Sequence, residues 1–341
     1  MSIININELI SEISQDAPCG DNLEYDPAFI ELALAAKGKD GQTLGDSTIA
    51  AEPPVWSDVR NRATDLLGRT KDLRIAVYLT RSLLNTDGLA GFGEGLSLVR
   101  GMLERYWDSV HPQLDPDDDN DPTSRVNVIT TLCDRDATLL NVQEAPLVSS
   151  RAMGRFGLRQ LLIAKGEIPA SADPDAEVPD LAAIDAAFMD ADVDEMQATA
   201  DVLTRCSGDL AAMDAILMEK VGGAQAPDLD SLSSMLKAMQ AVMNTQLARR
   251  GVGVVQEAET ETGEQSGAVQ SISGEITSRE DAVRMMDKIS DYFQRHEPSS
   301  PVPLLMGRAK RLVSMSFMDI LKDMAPGGVS QASTVGGIDE D

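Results

Sequence analysis

Apolar side chains recur at steps of three and four along three segments in the first third of the chain. This spacing predicts helices over residues 56–70, 72–85 and 91–110, and Pro112 ends the third helix. The breaks between these segments are short, which favours an antiparallel bundle. Over residues 139–164 the pattern fits a short hairpin and a kinked helix equally well.

Two changes of composition divide the rest of the chain. Residues 167–179 combine prolines and acids without a helical period, which indicates a linker. A unit of acidic, alanine- and methionine-rich helices is predicted over 180–250. Residues 251–276 contain no Lys or Arg and few apolar groups, a composition typical of a flexible tether. We therefore expect a helical domain over 1–166, an acidic middle domain and a separate C-terminal piece.

The C-terminal piece, residues 277–325, has the pattern of two helices. The second begins near Pro303 and carries apolar side chains over roughly half of its circumference, whereas an ordinary surface helix has a stripe about 100° wide. Two helices without a disulfide or a metal lie near the lower limit for a domain that folds alone. We therefore expect copies of this hairpin to cover one another through Tyr292, Phe293, Leu305, Leu312, Val313, Phe317, Ile320 and Leu321.

The alternative is that the hairpin folds back onto the preceding domain. The turn between its helices contains His296, Glu297, Pro298, Ser299, Ser300, Pro301 and Pro303. Prolines restrict their own backbone and that of the preceding residue, so we expect a rigid interhelical turn. A direct partner contact is the second interpretation, because rigid loops often present recognition groups. Residues 326–341 are expected to be a disordered tail.

Composition supports an all-α class of several helical bundles joined by flexible linkers. Aromatic residues make up only 4% of the 341 residues and hydrophobic residues 43%, a balance that suits helices better than sheets. The formal net charge is −27, and a field of that sign repels phosphate backbones and anionic headgroups. Nucleic acid and membrane insertion are therefore not expected.

The cysteines and the N-terminal residues indicate a cytoplasmic protein. Cys19, Cys133 and Cys206 are too few and too scattered for a disulfide framework or a metal site of the CxxC type. The first residues include Asn7 and Glu8 where a signal peptide needs a basic segment followed by an apolar run. No stretch reaches the roughly 18 consecutive apolar residues that a membrane span requires.

Three patterns in the sequence have some features of a catalytic or ligand-binding site. A thiol such as Cys19 with His111 could form a nucleophilic site, although no basic neighbour in sequence lowers the pKa of that thiol. The acidic run 115–121 has some of the ligand spacing of a calcium loop, but Asn120 and Val126 stand where the turn glycine and the bidentate glutamate are needed. Glycines at 91, 93 and 95 are interpreted as a flexible helix entry rather than a phosphate loop. We expect no catalytic, cofactor-binding or metal-ligating residues.

Several of these segments together resemble one protein family. Residues 18–29, 56–59, 71–84, 88–91 and 104–112, with the acidic loop that follows, resemble the ImpA amino-terminal domain of the TssA proteins, and residues 295–312 resemble a carboxy-terminal motif of a subset of that family. TssA proteins are cytoplasmic components of the bacterial type VI secretion machine. The N-terminal motif residues are Tyr25, Trp56, Asp72, Arg74, Tyr106, Trp107 and His111.

The resemblance implies a non-enzymatic scaffold of the contractile tail. Such proteins bind baseplate subunits and contact the sheath, the inner tube or the spike, and the carboxy-terminal part of relatives associates into rings. Two alternatives remain open from the sequence. One is a hydrolase that uses Cys19 with His111, or a metal in loop 115–121; the other is a regulatory adaptor that presents the acidic middle to a basic partner.

Overall fold

The computed structural model describes residues 2–39, 42–44, 47–115, 117, 119–170, 180–252, 283, 286, 289, 290 and 301–313. The chain forms two compact units, Met1–Gln256 and Glu257–Asp341. The helices of the first unit are α1 (Ile6–Leu9), α2 (Pro27–Lys37), α3 (Trp56–Leu67), α4 (Leu73–Tyr106), α5 (Thr123–Thr130), α6 (Leu140–Glu144), α7 (Leu158–Ala164), α8 (Leu181–Asp190), α9 (Val193–Val221) and α10 (Asp230–Arg249).

Two antiparallel hairpins interrupt this helical order. Strand β1 (Gln42–Leu44) pairs with β2 (Ser47–Ile49), and β3 (Pro146–Ser150) pairs with β4 (Gly154–Gly157). The first unit is therefore mostly helical, as expected, but its described part is not purely α. The second hairpin lies inside 139–164, so of the two alternatives for that segment the hairpin is correct, with α6 before it and α7 after it.

Helix α4 consists of two helical arms that form a hairpin. Gly88 has φ +65° and ψ −148°, and it separates a first arm, residues 73–87, from a second arm, residues 89–106. A β-carbon at Gly88 would meet nothing within 4 Å, so the positive φ and not crowding makes glycine favourable there. The two arms match the helices predicted over 72–85 and 91–110, and the second arm ends at Tyr106, a turn earlier than expected.

The glycine segment 91–95 brings the two arms together. A β-carbon built on Gly95 would lie 2.6 Å from Thr80 Oγ1 and 2.7 Å from Thr80 Cα, and one on Gly91 would lie 2.5 Å from the carbonyl oxygen of Leu83. These contacts pair the arms in antiparallel order at a distance that larger residues would not permit. The interpretation of this segment as a flexible helix entry is therefore wrong: the glycines are buried inside α4.

Helix α9 packs against the second arm of α4 and connects the predicted middle segment to the rest of unit 1. Ser97 Oγ donates to Asp209 Oδ2 over 2.5 Å, and Arg100 Nε lies 2.8 Å from Asp209 Oδ1. Asp209 is buried, so this polar contact fixes the register of the two helices in addition to their apolar packing. Within unit 1, α10 then packs against α9. The expected linker 167–179 lies largely outside the described residues.

The N-terminal residues are held by a buried carboxylate of α4. The oxygens of Glu94 accept hydrogen bonds from the backbone N–H groups of Ile3 and Ile4 at 2.7–2.9 Å and from Ser2 Oγ at 3.1 Å. Buried carboxylates are rare unless such donors compensate for the lost hydration. Glu94 therefore positions α1 across the second arm.

Helix α2 begins at an N-cap whose charge affects stability in acid. Asp26 accepts from the N–H of Ala28 at 2.8 Å and pairs with Arg69 at 2.6 Å. The Arg69 hydrogen bond, aided by the Ala28 N–H, lowers the pKa of Asp26 below its ordinary value of 3.8. A carboxylate with a lowered folded pKa contributes stability above its unfolded pKa and loses that contribution as the pH falls through the folded pKa.

We therefore expect Asp26→Asn, which keeps the cap but not the charge, to unfold more easily than the wild type at pH 7. The difference in unfolding midpoint should shrink as the pH falls below about 4, because the wild type then loses the charge as well. Urea titrations between pH 7 and pH 2.5 measure this effect. Asp16→Asn, at an exposed position, is the matched control, and an Asp26→Asn difference that persists unchanged in acid would contradict the prediction.

Candidate functional site

The corner after α4 is built around a fully buried arginine. Arg125 of α5 donates Nε to the carbonyl of Pro112 at 2.6 Å and Nη2 to that of Val110 at 2.7 Å, and Nη1 bonds the carbonyl of Trp107. Its guanidinium carbon also lies 5.0 Å from the centroid of the Trp107 ring. No carboxylate forms an ion pair with Arg125 among the described residues, and burial lowers its pKa to about 10.

Lys71 and His111 complete this buried basic cluster, which we define as Lys71, His111 and Arg125. Lys71 Nζ donates to the carbonyl of Leu67, the last residue of α3, over 2.8 Å. Burial lowers the pKa of Lys71. His111 N donates to the carbonyl of Lys71, so the two ends of the α4 hairpin are joined beside the end of α3. The cluster satisfies carbonyls that helix ends and a turn leave without partners.

The geometry of Cys19 does not favour the hydrolase alternative. Cys19 Sγ lies 3.2 Å from Ser109 Oγ, while His111 Nε2 lies 3.1 Å from the carbonyl oxygen of Gly20. Because a carbonyl only accepts, Nε2 carries the hydrogen, and the basic lone pair of a neutral His111 ring is on Nδ1, which makes no hydrogen bond to the thiol or to any other described atom. Burial raises the pKa of the Cys19 thiol, which disfavours the reactive thiolate. His111 and Cys19 thus lie near each other in the fold, but no hydrogen bond joins them.

The acidic loop also differs from a metal site in its described residues. Asp115 Oδ1 accepts from the N–H of Asp117 at 2.9 Å, and Asp121 accepts from the N–H and hydroxyl of Thr123. Both carboxylates therefore stabilise turns of their own loop. Across the described part of the chain, no group of three or more His, Cys, Asp or Glu side chains is placed to hold a metal ion.

The family-motif residues of the N-terminal domain occupy several environments. Asp72 is buried, caps α4 and pairs with Arg74 at 2.7 Å, and Arg74 also lies over the ring of Phe29. Tyr106 is buried and donates to the carbonyl of Ile10 over 2.6 Å. Trp107 and His111 belong to the buried corner, whereas Trp56 is half-buried and Tyr25 is 87% exposed. Of the motif set, Tyr25 is thus exposed, and Trp56 and Arg74 are half-buried.

Trp56 lines a long surface groove along the first arm of α4. One cavity of about 840 Å³ is lined by Trp56, Tyr78 and Arg81, with Pro53 and Pro54 at its rim. A second cavity of about 550 Å³ lies at the tip of the α4 hairpin. The two cavities share Asn85 and Asn141 as lining residues, so they adjoin, and we describe them together as one groove. We call it the arm groove and define it by Trp56, Tyr78, Arg81, Asn85, Asn141 and Arg155.

Helix α2 also carries exposed apolar side chains. Ile30 and Leu34 lie one turn apart on the outer face of α2, and Leu34 is 63% exposed. The opposite face buries Phe29, Leu32 and Ala36. A helix that is apolar on both faces is normally covered on both, so the outer face has the character of an interaction surface.

The second unit contains one described helix, α11 (Val302–Val313). It starts where the sequence places the second C-terminal helix, and the carbonyl of Pro301 accepts from the N–H of Leu305. Leu304 and Leu305 are 79% and 59% exposed, while Pro303 and Leu312 are half-buried. The side chain of Val313 and the other expected residues of the hairpin and its turn lie outside the described part: Tyr292, Phe293, His296, Glu297, Pro298, Ser299, Ser300, Phe317, Ile320 and Leu321.

Sequence reasoning missed Arg125, Glu94 and Asp209 as structural residues, and Arg81 and Arg155 as groove residues. Each is a charged side chain on a helix or strand, and such residues are usually solvated. For Glu94 alone a signal existed, since it stands between two glycines in an otherwise apolar segment. The partners of the others are distant in sequence, and no local pattern indicates them.

Comparisons with known proteins agree with this architecture. Residues 10–134 match the family described as the N-terminal domain of ImpA of the type VI secretion system. The chain is 41% identical to the type VI secretion system component TssA1 of Pseudomonas aeruginosa, over 98% of this chain and 99% of that relative. Its structure matches the N-terminal domain, including the conserved ImpA_N region, of the TssA component from Burkholderia cenocepacia, with a TM-score of 0.60 and 25% identity over 74% of this chain and 98% of that one.

A mostly helical first unit with an ImpA_N region, followed by a C-terminal helical piece, defines a component of the type VI secretion system. With 41% identity over nearly its full length, the chain belongs to the TssA family. The resemblance inferred from the sequence motifs is thereby confirmed. Of the helices that the structure describes, none is long and apolar enough to cross a membrane.

Proposed function

We propose that this chain is a non-enzymatic assembly component of the type VI contractile tail and acts in the cytoplasm. Its C-terminal helices join copies of the chain into a ring-like homo-oligomer. Its first unit binds baseplate subunits, and sheath, tube or spike proteins are further partners of that unit. The observation that carries the proposal is the relationship to a type VI secretion component over 98% of the chain, which includes both the ImpA_N region and the C-terminal piece.

The exposed leucines of α11 support self-association. Burying a leucine side chain contributes about 1.5–3 kcal/mol, and both Leu304 and Leu305 are mostly exposed in the single chain. Two adjacent exposed leucines on a short helix form an apolar surface that a neighbouring copy can cover. A ring then presents many first units at once, so weak single contacts add up on a repeating partner surface.

The oligomer is tested by a double substitution on α11. We expect Leu304→Asp/Leu305→Asp to dissociate the assembly into smaller species, because two carboxylates replace apolar groups at the interface. Light scattering on the eluting protein measures the mass. Leu181→Asp/Met218→Asp makes the matching change on two exposed apolar residues of unit 1 and should leave the mass unchanged.

A chain that ends at Gly274 provides the second test. Unit 1 has its own extensive core, so this shorter chain should fold and should fail to form the full-length oligomer. If either the truncated chain or the α11 variant keeps the wild-type mass, the C-terminal helices do not form the assembly and the proposed mechanism fails.

A further inference from the structure

The outer face of α2 is an apolar surface that also includes residues of the flanking segments. Ile30 and Leu34 are 47% and 63% exposed and lie one turn apart. Tyr25 precedes the helix and Val55 precedes α3, and both side chains are mostly exposed. Pro54, next to Val55, lines one cavity with Ala33 of α2, so the two segments adjoin. We call Tyr25, Ile30, Leu34 and Val55 the α2 face.

The charged side chains on and next to α2 balance one another. The three carboxylates at this helix each have an arginine partner from another segment at 2.6–3.2 Å, in the pairs Glu24–Arg74, Asp26–Arg69 and Glu31–Arg62. Beyond the end of the helix, Lys39 pairs with Glu52 at 2.6 Å. The cavity that adjoins α2 at Ala33 is lined by two cations and two carboxylates. The α2 face therefore lies in surroundings with little net charge.

This balance distinguishes the α2 face from the chain as a whole and favours a second copy as its occupant. The chain has a net charge of −27, and residues 180–250 alone contain twelve Asp and Glu against five Lys and Arg. Two copies of such a chain repel each other at most orientations. Contact between copies is least opposed where the charges are already paired and the surface is apolar. A two-fold contact places the same patch on both sides, so apolar side chains meet apolar side chains.

The size of the α2 face indicates a contact that forms only between copies that are already held together. Two such faces bury on the order of 1,000 Å² in total, whereas stable complexes of free proteins bury about 1,200–2,000 Å². An assembly that links several first units raises their effective concentration to about the millimolar range. A contact of this size is then sufficient.

We infer that the α2 faces of two copies pack against each other across a two-fold axis, so that the first units of the assembly are arranged in pairs. This inference rests on the proposed function, because the assembly supplies the effective concentration. Ile30 and Leu34 of one copy contact the same two residues of the second copy. Because these residues are only one helical turn apart, the two Leu34 side chains lie within about 10 Å of each other.

Cross-linking of the full-length protein through Leu34→Cys tests the inference. A short bifunctional maleimide joins two thiols only when they lie close together, and a denaturing gel shows the covalent dimer. Leu181→Cys, an exposed position on α8, is the matched control, and the wild type gives the background of the native cysteines. After correction for labelling by a monofunctional maleimide, we expect Leu34→Cys to cross-link about tenfold faster than Leu181→Cys.

A second substitution shows whether the apolar contact causes the faster cross-linking. Ile30→Asp, added to Leu34→Cys, places a carboxylate from each copy in the contact and should reduce the rate to that of Leu181→Cys. Met218→Asp, added to Leu34→Cys, makes a similar change on an exposed residue of α9 and should leave the rate unchanged. Both substituted positions are exposed, and circular dichroism verifies that the variants are folded.

The oligomeric mass from light scattering separates this inference from the proposed function. If the assembly is intact and Leu34→Cys cross-links no faster than Leu181→Cys, or if Ile30→Asp leaves the rate unchanged, the pairing of α2 faces is wrong and a partner of another kind covers them. If the chain is monomeric, the proposed assembly fails. In that case, cross-linking of Leu34→Cys that rises with protein concentration above the Leu181→Cys control supports the pairing, and equal rates overturn it as well.

Discussion

Replacing Arg125 by methionine is expected to lower the free energy of unfolding of unit 1 by about 3–5 kcal/mol. The substitution leaves the carbonyls of Trp107, Val110 and Pro112 buried without their donor, and each unsatisfied buried polar group costs about 1–3 kcal/mol. Removal of a buried cation without a counterion offsets part of this cost, because the guanidinium no longer has to be dehydrated.

Urea unfolding followed by circular dichroism measures the effect of Arg125→Met. Arg151→Met, at an exposed position outside the cluster, should unfold almost like the wild type. Arg125→Lys should fall between the two, since lysine keeps a charge but cannot reach three carbonyls with a planar fork. A loss of less than about 1 kcal/mol for Arg125→Met would mean that the corner forms without the arginine.

Gly95→Ala is expected to be the second most disruptive change, and it should destabilise unit 1 by about 1–3 kcal/mol. The new β-carbon would lie 2.6–2.7 Å from side-chain and backbone atoms of Thr80 on the opposite arm. Because one of these atoms is a backbone Cα, the arms themselves have to separate. The crowding outweighs the gain in helix propensity from glycine to alanine, which is about 1 kcal/mol in an exposed helix.

The matched control for Gly95→Ala has the opposite expected sign. Gly208 lies inside α9, and a β-carbon there would meet nothing within 4 Å, so Gly208→Ala should stabilise the protein slightly. The melting temperatures of both variants compare the same substitution at a position where the new β-carbon is crowded and at one where it meets no other atoms. Equal shifts of the melting temperature would show that the arms of α4 are not in close contact at Gly95.

These two predictions concern the framework on which the arm groove depends. Its floor is the first arm of α4, whose position relative to the second arm is set by the glycine contacts. Its far end includes residues of α9, which the Ser97–Asp209 contact places on the second arm. A binding surface made from rigid helices loses less entropy on association than one made from loops. The glycine contacts and the Ser97–Asp209 contact therefore hold the walls of the groove in place.

Local periodicity was sufficient to predict the two helices of the α4 hairpin and the short break between them. The reason is that the spacing of apolar residues is a property of neighbouring residues. The family relationship was likewise accessible from short motifs, because several of them occur in the same order along the chain.

The tertiary structure alone decided which polar residues are buried and which are exposed. Arg125 and Arg155 are both arginines in polar sequence surroundings, yet one is fully buried against three carbonyls and the other is exposed in a groove. Their environments depend on segments that lie far away in the chain. The residues next to each arginine in sequence therefore do not indicate whether it is buried. The free-energy cost of burying a charged side chain is offset by hydrogen-bond partners, and only the completed fold brings these partners together.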